Sequence, residues 1–396
     1  MLTLDKVFNA QTVLKNIIRE TNVVRAYGIA PDCELYLKPE NLQITGSFKV
    51  RGSAYKIAML SEQEKAKGVI ACSAGNHAQG VALAATKNGI KSLICLPDTA
   101  PISKVEATKG YGAEVCLVEG YYDDAYKKAL ELRDSEGYTF VHPFDDENVI
   151  AGQGTIALEI LNDLDNIDAI VVPIGGGGLI SGIAYTVKQI RPSVKVYGVQ
   201  AAGAPSMYNS VKDREIECLP SVSTIADGIA VKQPGENTFH YVSDYVDEIA
   251  LVTDDEVASA ILALIEKQKM IAEGAGATAV AAVMTNKFNL KGKRVVAVVS
   301  GGNIDVTSLS RVIDRGLLNS GRSSSLLIEL IDKPGQLKEI SRIIADCGGN
   351  VTGVHYEKGN TESVNGCFLR IEMETRDFEH VNLITKSLRD EGFKLV

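Results

Sequence analysis

The sequence predicts an α/β fold built on parallel sheets, followed by a smaller βαββαβ module. Two observations carry that prediction. Between residues 34 and 302, short apolar runs alternate with amphipathic helical stretches, a pattern that puts helices on the faces of a parallel sheet. Beyond residue 325 the order changes to strand, turn, helix, turn, two strands, helix and strand. The length of 396 residues suits two or three domains. A composition of 45% hydrophobic and 23% charged residues supplies a sizeable core.

The first segment, "MLTLDKVFNAQTVLKNIIRE", reads as a short amphipathic helix. It lacks a basic region leading into an apolar core, so no signal peptide is expected. Strands are expected at "ELYLK" (34–38), "GVIACS" (68–73), "SLICLP" (92–97) and "AEVCLV" (113–118). Further strands are expected at "AIVVPI" (169–174), "KVYGVQ" (195–200) and "RVVAVVSGG" (294–302). Residues 169–187 carry no charge over a length that could span a bilayer. Their run of glycines beside Pro173 suits a strand, a loop and a new helix better, so no membrane span is expected.

A serine-rich stretch, "LLNSGRSSS" (317–325), reads as a linker into the last module. There "LLIELIDKPGQLKEISRIIADCGGNVTGVHYEKG" gives strand, Pro-Gly turn, helix, Gly-Gly-Asn turn and strand. "GCFLRIEMET", "DFEHVNLITKSLRDEG" and "FKLV" complete the ferredoxin-like order.

Charge and cysteines narrow the function. The formal charge is −9 with no basic block, so nucleic acid is not an expected partner. The seven cysteines form no CxxC pair and no metal-ligand spacing with histidine. That pattern fits free thiols in a reducing compartment, and a cytoplasmic location is expected.

Four segments suggest chemistry. Gly175, Gly176, Gly177 and Gly178 lie between an apolar strand and a helical stretch. Converging N–H groups and a helix start make an anion site; a plain sharp turn is the alternative. Leu179 follows where a Walker loop needs Lys, and Gln200 ends the next strand where a dinucleotide site needs an acid. A small phosphate monoester therefore fits best. Lys49 sits between Phe48 and Val50 at a helix start, where Ser47 or Thr45 could be the cap. Helix dipole and apolar neighbours disfavour its charge, leaving a nucleophilic amine; a surface lysine paired with an acid is the bland alternative.

Pyridoxal phosphate needs such an amine, a phosphate cradle and partners for its phenolic oxygen and ring nitrogen. Asn76, in "SAGNHAQGVALAA" (73–85), could meet the oxygen, although a polar helix cap reads equally well. Ser73 and neighbouring N–H groups could hold a substrate carboxylate, with His77 supporting the loop. Ser300, ending the strand "VVAVVSGGN" (295–303), could meet the ring nitrogen, or simply form a turn.

Together these segments resemble the fold type II pyridoxal-phosphate enzymes, the tryptophan synthase β-like group, and within it the threonine dehydratase and serine/threonine ammonia-lyase branch. The resemblance rests on "KPENLQITGSFKVRGSA", "SAGNHAQGVA", "PIGGGGLISG", "TIADGIAV" (224–231) and "SGGN", and covers residues 35 to 305. It implies a catalytic region over 1–320, with a small subdomain near 40–145 inserted in the large one. It implies that Lys49 carries the cofactor and acts as catalytic base. Phe48 would pack near the ring, Asn76 would meet its phenolic oxygen, and Ser300 its nitrogen. Gly175, Gly176, Gly177 and Gly178 would bind the phosphate, while Ser73, Gly75 and Gln153 would lie near the substrate carboxylate. The implied reaction is elimination from L-threonine, and from L-serine, to 2-oxobutanoate or pyruvate and ammonia.

Residues 321–396 resemble an ACT domain through "LIDKPGQL" and "GGNV". That implies an amino-acid effector, isoleucine or valine, near Gly335, Leu337 and Asn350, and a homodimer or homotetramer. Serine dehydratase, serine racemase and a non-catalytic amino-acid sensor are the alternatives. Ala74 stands where racemases of the group hold a serine, which argues against racemisation. "TNVVRAYG" (21–28) replaces the Thr-Pro-Leu segment usual in relatives, and "GVQAAGAPS" (198–206) lacks their metal-binding acids, so no divalent metal is expected. The sequence leaves isoleucine biosynthesis and threonine catabolism open.

Overall fold

The computed structural model describes residues 1–357 and 366–396. It divides into two compact units, Met1–Leu309 and Ser310–Val396. The strands of the first are β1 (Val24–Arg25), β2 (Glu34–Pro39), β3 (Val69–Cys72), β4 (Ser92–Pro97) and β5 (Glu114–Val118). They continue as β6 (Thr139–Phe140), β7 (Ala169–Pro173), β8 (Lys195–Ala201), β9 (Glu248–Val252) and β10 (Arg294–Val299). The second unit holds β11 (Ser323–Ile331), β12 (Asn350–Glu357), β13 (Gly366–Glu374) and β14 (Lys394–Leu395).

Two sheets form the first unit. The larger runs β1-β2-β10-β7-β8-β9, parallel except for the antiparallel β1. The smaller runs β5-β4-β3-β6, wholly parallel. Continuous apolar sequence marks their centres because helices cover both faces: every residue of β3 and of β7 is buried. The strands that sequence patterning misses, β1, β6 and β9, are all sheet edges. Two of them span only two residues, and burial on such edges is too partial to leave a strong apolar run. Among the described residues, no helix is long and apolar enough to cross a membrane.

The second unit is an antiparallel sheet in the order β12-β13-β11-β14. Its helices Gln336–Asp346 and Phe378–Asp390 bury Ile340, Ile344, Ile384 and Leu388 against the sheet. Alternation is clear on β13, where Cys367, Leu369, Ile371 and Met373 are buried between more exposed neighbours. This is the expected βαββαβ order; positions 358 and 359 of the run quoted above lie outside the described residues.

Two expectations need correction. The serine-rich stretch is no loose linker: the helix Val306–Asn319 takes its start and β11 takes the last three of its four serines. Ser is a poor helix former, yet it sits comfortably in a strand whose ladder it shares with β13. The second correction concerns Lys49. It opens the helix Lys49–Ala58 as expected, but Phe48 holds the cap position and no side chain caps. Thr45 Oγ1 and Ser47 Oγ are instead turned inward, buried without hydrogen-bond partners.

Candidate functional site

The site is assembled where strands end and helices begin, as the order of a parallel sheet requires. After β7 the chain passes through Gly175 and Gly176 to Gly177, which adopts φ +99° and starts the helix Gly178–Ile190. The first N–H groups of a helix have no partner within it, so this turn offers donors and a positive dipole end. Side chains are sterically barred from the loop. A Cβ on Gly176 would lie 2.5 Å from the Phe144 ring, and one on Gly178 would lie 2.8 Å from the Phe144 carbonyl oxygen. Thr238 Oγ1 donates to Gly176 O at 2.5 Å and fixes the turn from behind. The segment 224–231 closes another side: a Cβ on Gly175 would meet Ile229 Cα at 3.1 Å.

Lys49 reaches the same place from the other direction. Its Nζ donates to Pro143 O at 2.8 Å, next to the Phe144 that lies against the glycines. The side chain keeps some surface open, yet its amine lies deep enough that burial lowers its pKa to about 8 despite the opposing pull of Glu273. The amine also sits 5.3 Å from the centre of the Phe48 ring. A Cβ on Gly80 would stand 3.2 Å from the Lys49 carbonyl, so the helix Asn76–Lys87 packs directly on the lysine's backbone.

The remaining candidates join through hydrogen bonds. Phe48 N donates to Ser300 O at 3.1 Å, and Ser47 pairs with Gly301 in an isolated bridge. Ser300 Oγ donates to Ala275 O at 3.4 Å. Asn76 Nδ2 donates to Glu273 Oε1 at 2.6 Å, while Asn303 Nδ2 donates to Asn76 Oδ1 and to Thr45 O, each at 2.7 Å. Ser73 N donates to Cys95 O at 3.3 Å, and Gly75 N donates to Ser73 Oγ at 3.2 Å. Ser73, Gly75 and Asn76 are thus partly exposed positions on a loop held from below. Gln153 is different: it is buried between helices, its Oε1 accepting from Gly52 N at 3.2 Å.

Sequence reading missed Glu273 and Asn303. Glu273 precedes the small-residue helix Gly274–Met284, and its N–H donates to Gly301 O. Burial, then the Asp227 carboxylate, push its pKa up to about 7. An acid just before "GAGAT" was the available signal, but the residue it meets, Asn76, lies 197 positions away. His77 supports its loop, as expected: Nε2 lies 2.8 Å from Val141 O, and burial first, then the Lys49 charge, lower its pKa to about 3.

In the second unit, Gly335 adopts φ +97° before the helix Gln336–Asp346, and Leu337 is exposed on that helix. Asn350 Nδ2 donates to Glu374 Oε2 at 2.9 Å. All seven cysteines are free, and among the described residues no group of His, Cys, Asp or Glu could hold a metal ion.

A pyridoxal phosphate fits the residues present. The glycine turn leaves backbone donors open beside a helix start, and Lys49, whose acceptor Pro143 adjoins the Phe144 packed on that turn, has its pKa lowered to about 8. Comparison with known proteins agrees. The chain is 48% identical to L-threonine ammonia-lyase of Thermotoga maritima, covering 100% of this chain and 99% of that protein. It resembles the structure of the processed form of threonine deaminase isoform 2 from Solanum lycopersicum, with TM-score 0.76 and 37% identity over 80% of this chain and 90% of that one. It also resembles maize serine racemase, with TM-score 0.75 and 34% identity over 80% of this chain and 98% of that one. The model of the family described as pyridoxal-phosphate dependent enzyme matches residues 14–301, and the chain belongs to that family.

Proposed function

We propose that the protein is an L-threonine ammonia-lyase that releases 2-oxobutanoate and ammonia, acting on L-serine as well. The carrying observation is the Pro143–Phe144 junction, where one carbonyl accepts the Lys49 amine and the next residue lies against Gly176 and Gly178. It sets amine and anion cradle within one short segment. The full-length likeness to an L-threonine ammonia-lyase supports the choice of substrate.

Bound there, pyridoxal phosphate supplies an electron sink for negative charge at the substrate α-carbon. The chain's own residues do the rest. N–H groups of Gly175 to Gly178 would hold the phosphate at the helix start. Asn76 would meet the phenolic oxygen, its Nδ2 exchanging the bond to Glu273 for that contact, and Phe48 would pack beside the ring. Ser300 Oγ would meet the ring nitrogen, and as a hydroxyl it would not enforce protonation there. Ser73 Oγ and the Gly75 N–H, now bonded to each other, would turn to the substrate carboxylate, with Gln153 in the wall behind them. Lys49 Nζ, whose pKa burial lowers to about 8 so that it loses its proton far more readily than a solvated lysine, takes the α-proton in its neutral form. The β-hydroxyl then leaves with a proton as water, and the enamine released takes up water to give the oxo acid and ammonia.

Racemisation is the second reading, favoured by the likeness to maize serine racemase. Ala74 offers no proton donor on its loop, which supports elimination instead. The C-terminal unit is read as an ACT domain that binds isoleucine or valine beside Gly335, Leu337 and Asn350, within a cytoplasmic homodimer or homotetramer.

The test is 2-oxobutanoate release from L-threonine, run beside L-serine with chiral analysis of recovered serine. Threonine turnover that disappears in Lys49→Ala supports the proposal; dominant serine racemisation refutes it. Repeating the assay with isoleucine and with valine tests regulation, and unchanged kinetics with both would remove it.

A further inference from the structure

The helix that starts with Lys49 has a second face, and it is charged and sealed. Arg51 is completely buried, and so are Glu40 and Lys38. Residues two apart on a helix point to nearly opposite sides, so Arg51 looks away from the Lys49 amine. Its Nε and Nη2 donate to the two oxygens of Glu40, both at 2.8 Å. Nη1 and Nη2 donate to Glu159 Oε1 and Oε2 at 2.5 and 2.8 Å, and Nη1 also reaches Thr155 Oγ1 at 3.2 Å. These contacts use all five guanidinium donors. Lys38 Nζ donates to Glu159 Oε2 at 2.5 Å, so two cations balance two carboxylates.

The three elements so tied are those that place the amine. Glu40 opens the turn after β2, and the chain goes directly from that turn to Lys49. Glu159 and Thr155 lie on the helix Glu147–Asp163, whose cap Asp146 closely follows Pro143, the lysine's acceptor. The two helices touch at glycines: a Cβ on Gly152 would lie 2.7 Å from Arg51 O. Gly52 N–H on Gln153 Oε1 and Lys56 on Asp146 also tie the two helices, but the forked arginine is the tie that joins both of them to the turn at Glu40.

The geometry points to Arg51, clamped by Glu40 and Glu159, as a positioning residue that fixes where the Lys49 amine stands relative to Pro143 O. This rests on the reading of Lys49 as the catalytic amine. It adds that part of the site's accuracy is set in the core, away from substrate and cofactor.

The experiment uses the charge-balanced double variant Arg51→Met/Glu40→Gln, which removes one charge of each sign and leaves Lys38 paired with Glu159. In cofactor-free protein, the pH dependence of Lys49 acetylation is followed by mass spectrometry. Glu273 acts on the charge of Lys49, and Lys49 acts in turn on His77 and His142. None belongs to the clamp, so a changed midpoint reports a displaced amine. A displaced amine regains water, and its midpoint should rise by about one pH unit. In the cofactor-loaded enzyme kcat should fall about tenfold with KM little changed, because small misplacement acts on the reacting geometry.

Thr155→Val, which keeps every charge, should shift the midpoint in the same direction by less, and guards against a double variant that fails to fold. A folded variant with an unchanged midpoint and unchanged kcat overturns the proposal. Because the labelling reads the amine without cofactor, that failure stays distinct from a failure of Lys49 to carry the cofactor.

Discussion

Two basic side chains on one turn of helix meet opposite surroundings. Lys49 faces a partly open site with a neutral carbonyl as its hydrogen-bond partner, and burial lowers its pKa to about 8. Arg51 is sealed in the core, and although burial opposes its charge, Glu40 and Glu159 raise its pKa further. Desolvation acts on both, and the partner decides which way it ends. A carbonyl leaves the amine free to lose a proton and react; two carboxylates lock the guanidinium as structure. The lesson is that reactivity here comes from withholding a counter-ion, since Glu273 acts on Lys49 only at a distance and itself titrates near neutrality.

The sharpest way to break the comparison is to remove each cation. Lys49→Ala should lower threonine turnover about 10⁴-fold, the upper range for losing a general base, while leaving the melting curve nearly unchanged. Steady-state assay and circular dichroism check both halves. Arg51→Met alone should do the reverse at first sight, destabilising the fold by about 3–5 kcal/mol through an unpaired buried carboxylate. Urea unfolding measures it, and a loss below 1 kcal/mol, the size of an exposed pair, would mean the clamp is not closed.

A smaller effect separates the histidines. Burial lowers His77 to about 3 and His142 to about 4, both from an ordinary value of 6.5. The unfolded chain therefore binds more protons than the folded one between these values, and stability falls as pH drops below about 6.5. Above that pH the contribution is complete. For His77 the slope is about 1.4 kcal/mol per pH unit, and His77→Asn should flatten it in urea titrations at successive pH values. An unchanged slope would mean that His77 charges freely in the folded state.

The smallest shift sharpens the claim about Glu273. Its carboxylate raises the pKa of Lys49, so Glu273→Gln should move the acetylation midpoint of Lys49 downward, by up to about one unit. A midpoint that stays put would show that the two groups do not sense each other.

Much of this was readable from sequence, and the gaps have physical causes. Central strands such as β3 and β7 announce themselves because both faces are buried. The edge strands β1, β6 and β9 do not, and neither does the helix Val306–Asn319, which begins beside a stretch rich in serine and glycine. Lys49, Asn76, the four glycines and Ser300 are visible because each lies where a strand or turn gives way to a helix or loop. Glu273 and Asn303 are not visible, since their meaning lies in contacts with Asn76 from 197 and 227 positions away. Arg51 looks like an ordinary helix residue until Glu40 and Glu159 close on it, the latter from 108 positions away. Thr45 and Ser47 suit the cap at Lys49 locally, but packing against Gly301 and Asn303 turns them inward.

The most direct test of the central claim is borohydride reduction of the cofactor-loaded enzyme, followed by digestion and mass spectrometry. The cofactor mass should be found on the peptide containing Lys49 and on no other. Its attachment to a different lysine, with Lys49 recovered unmodified, would contradict the account.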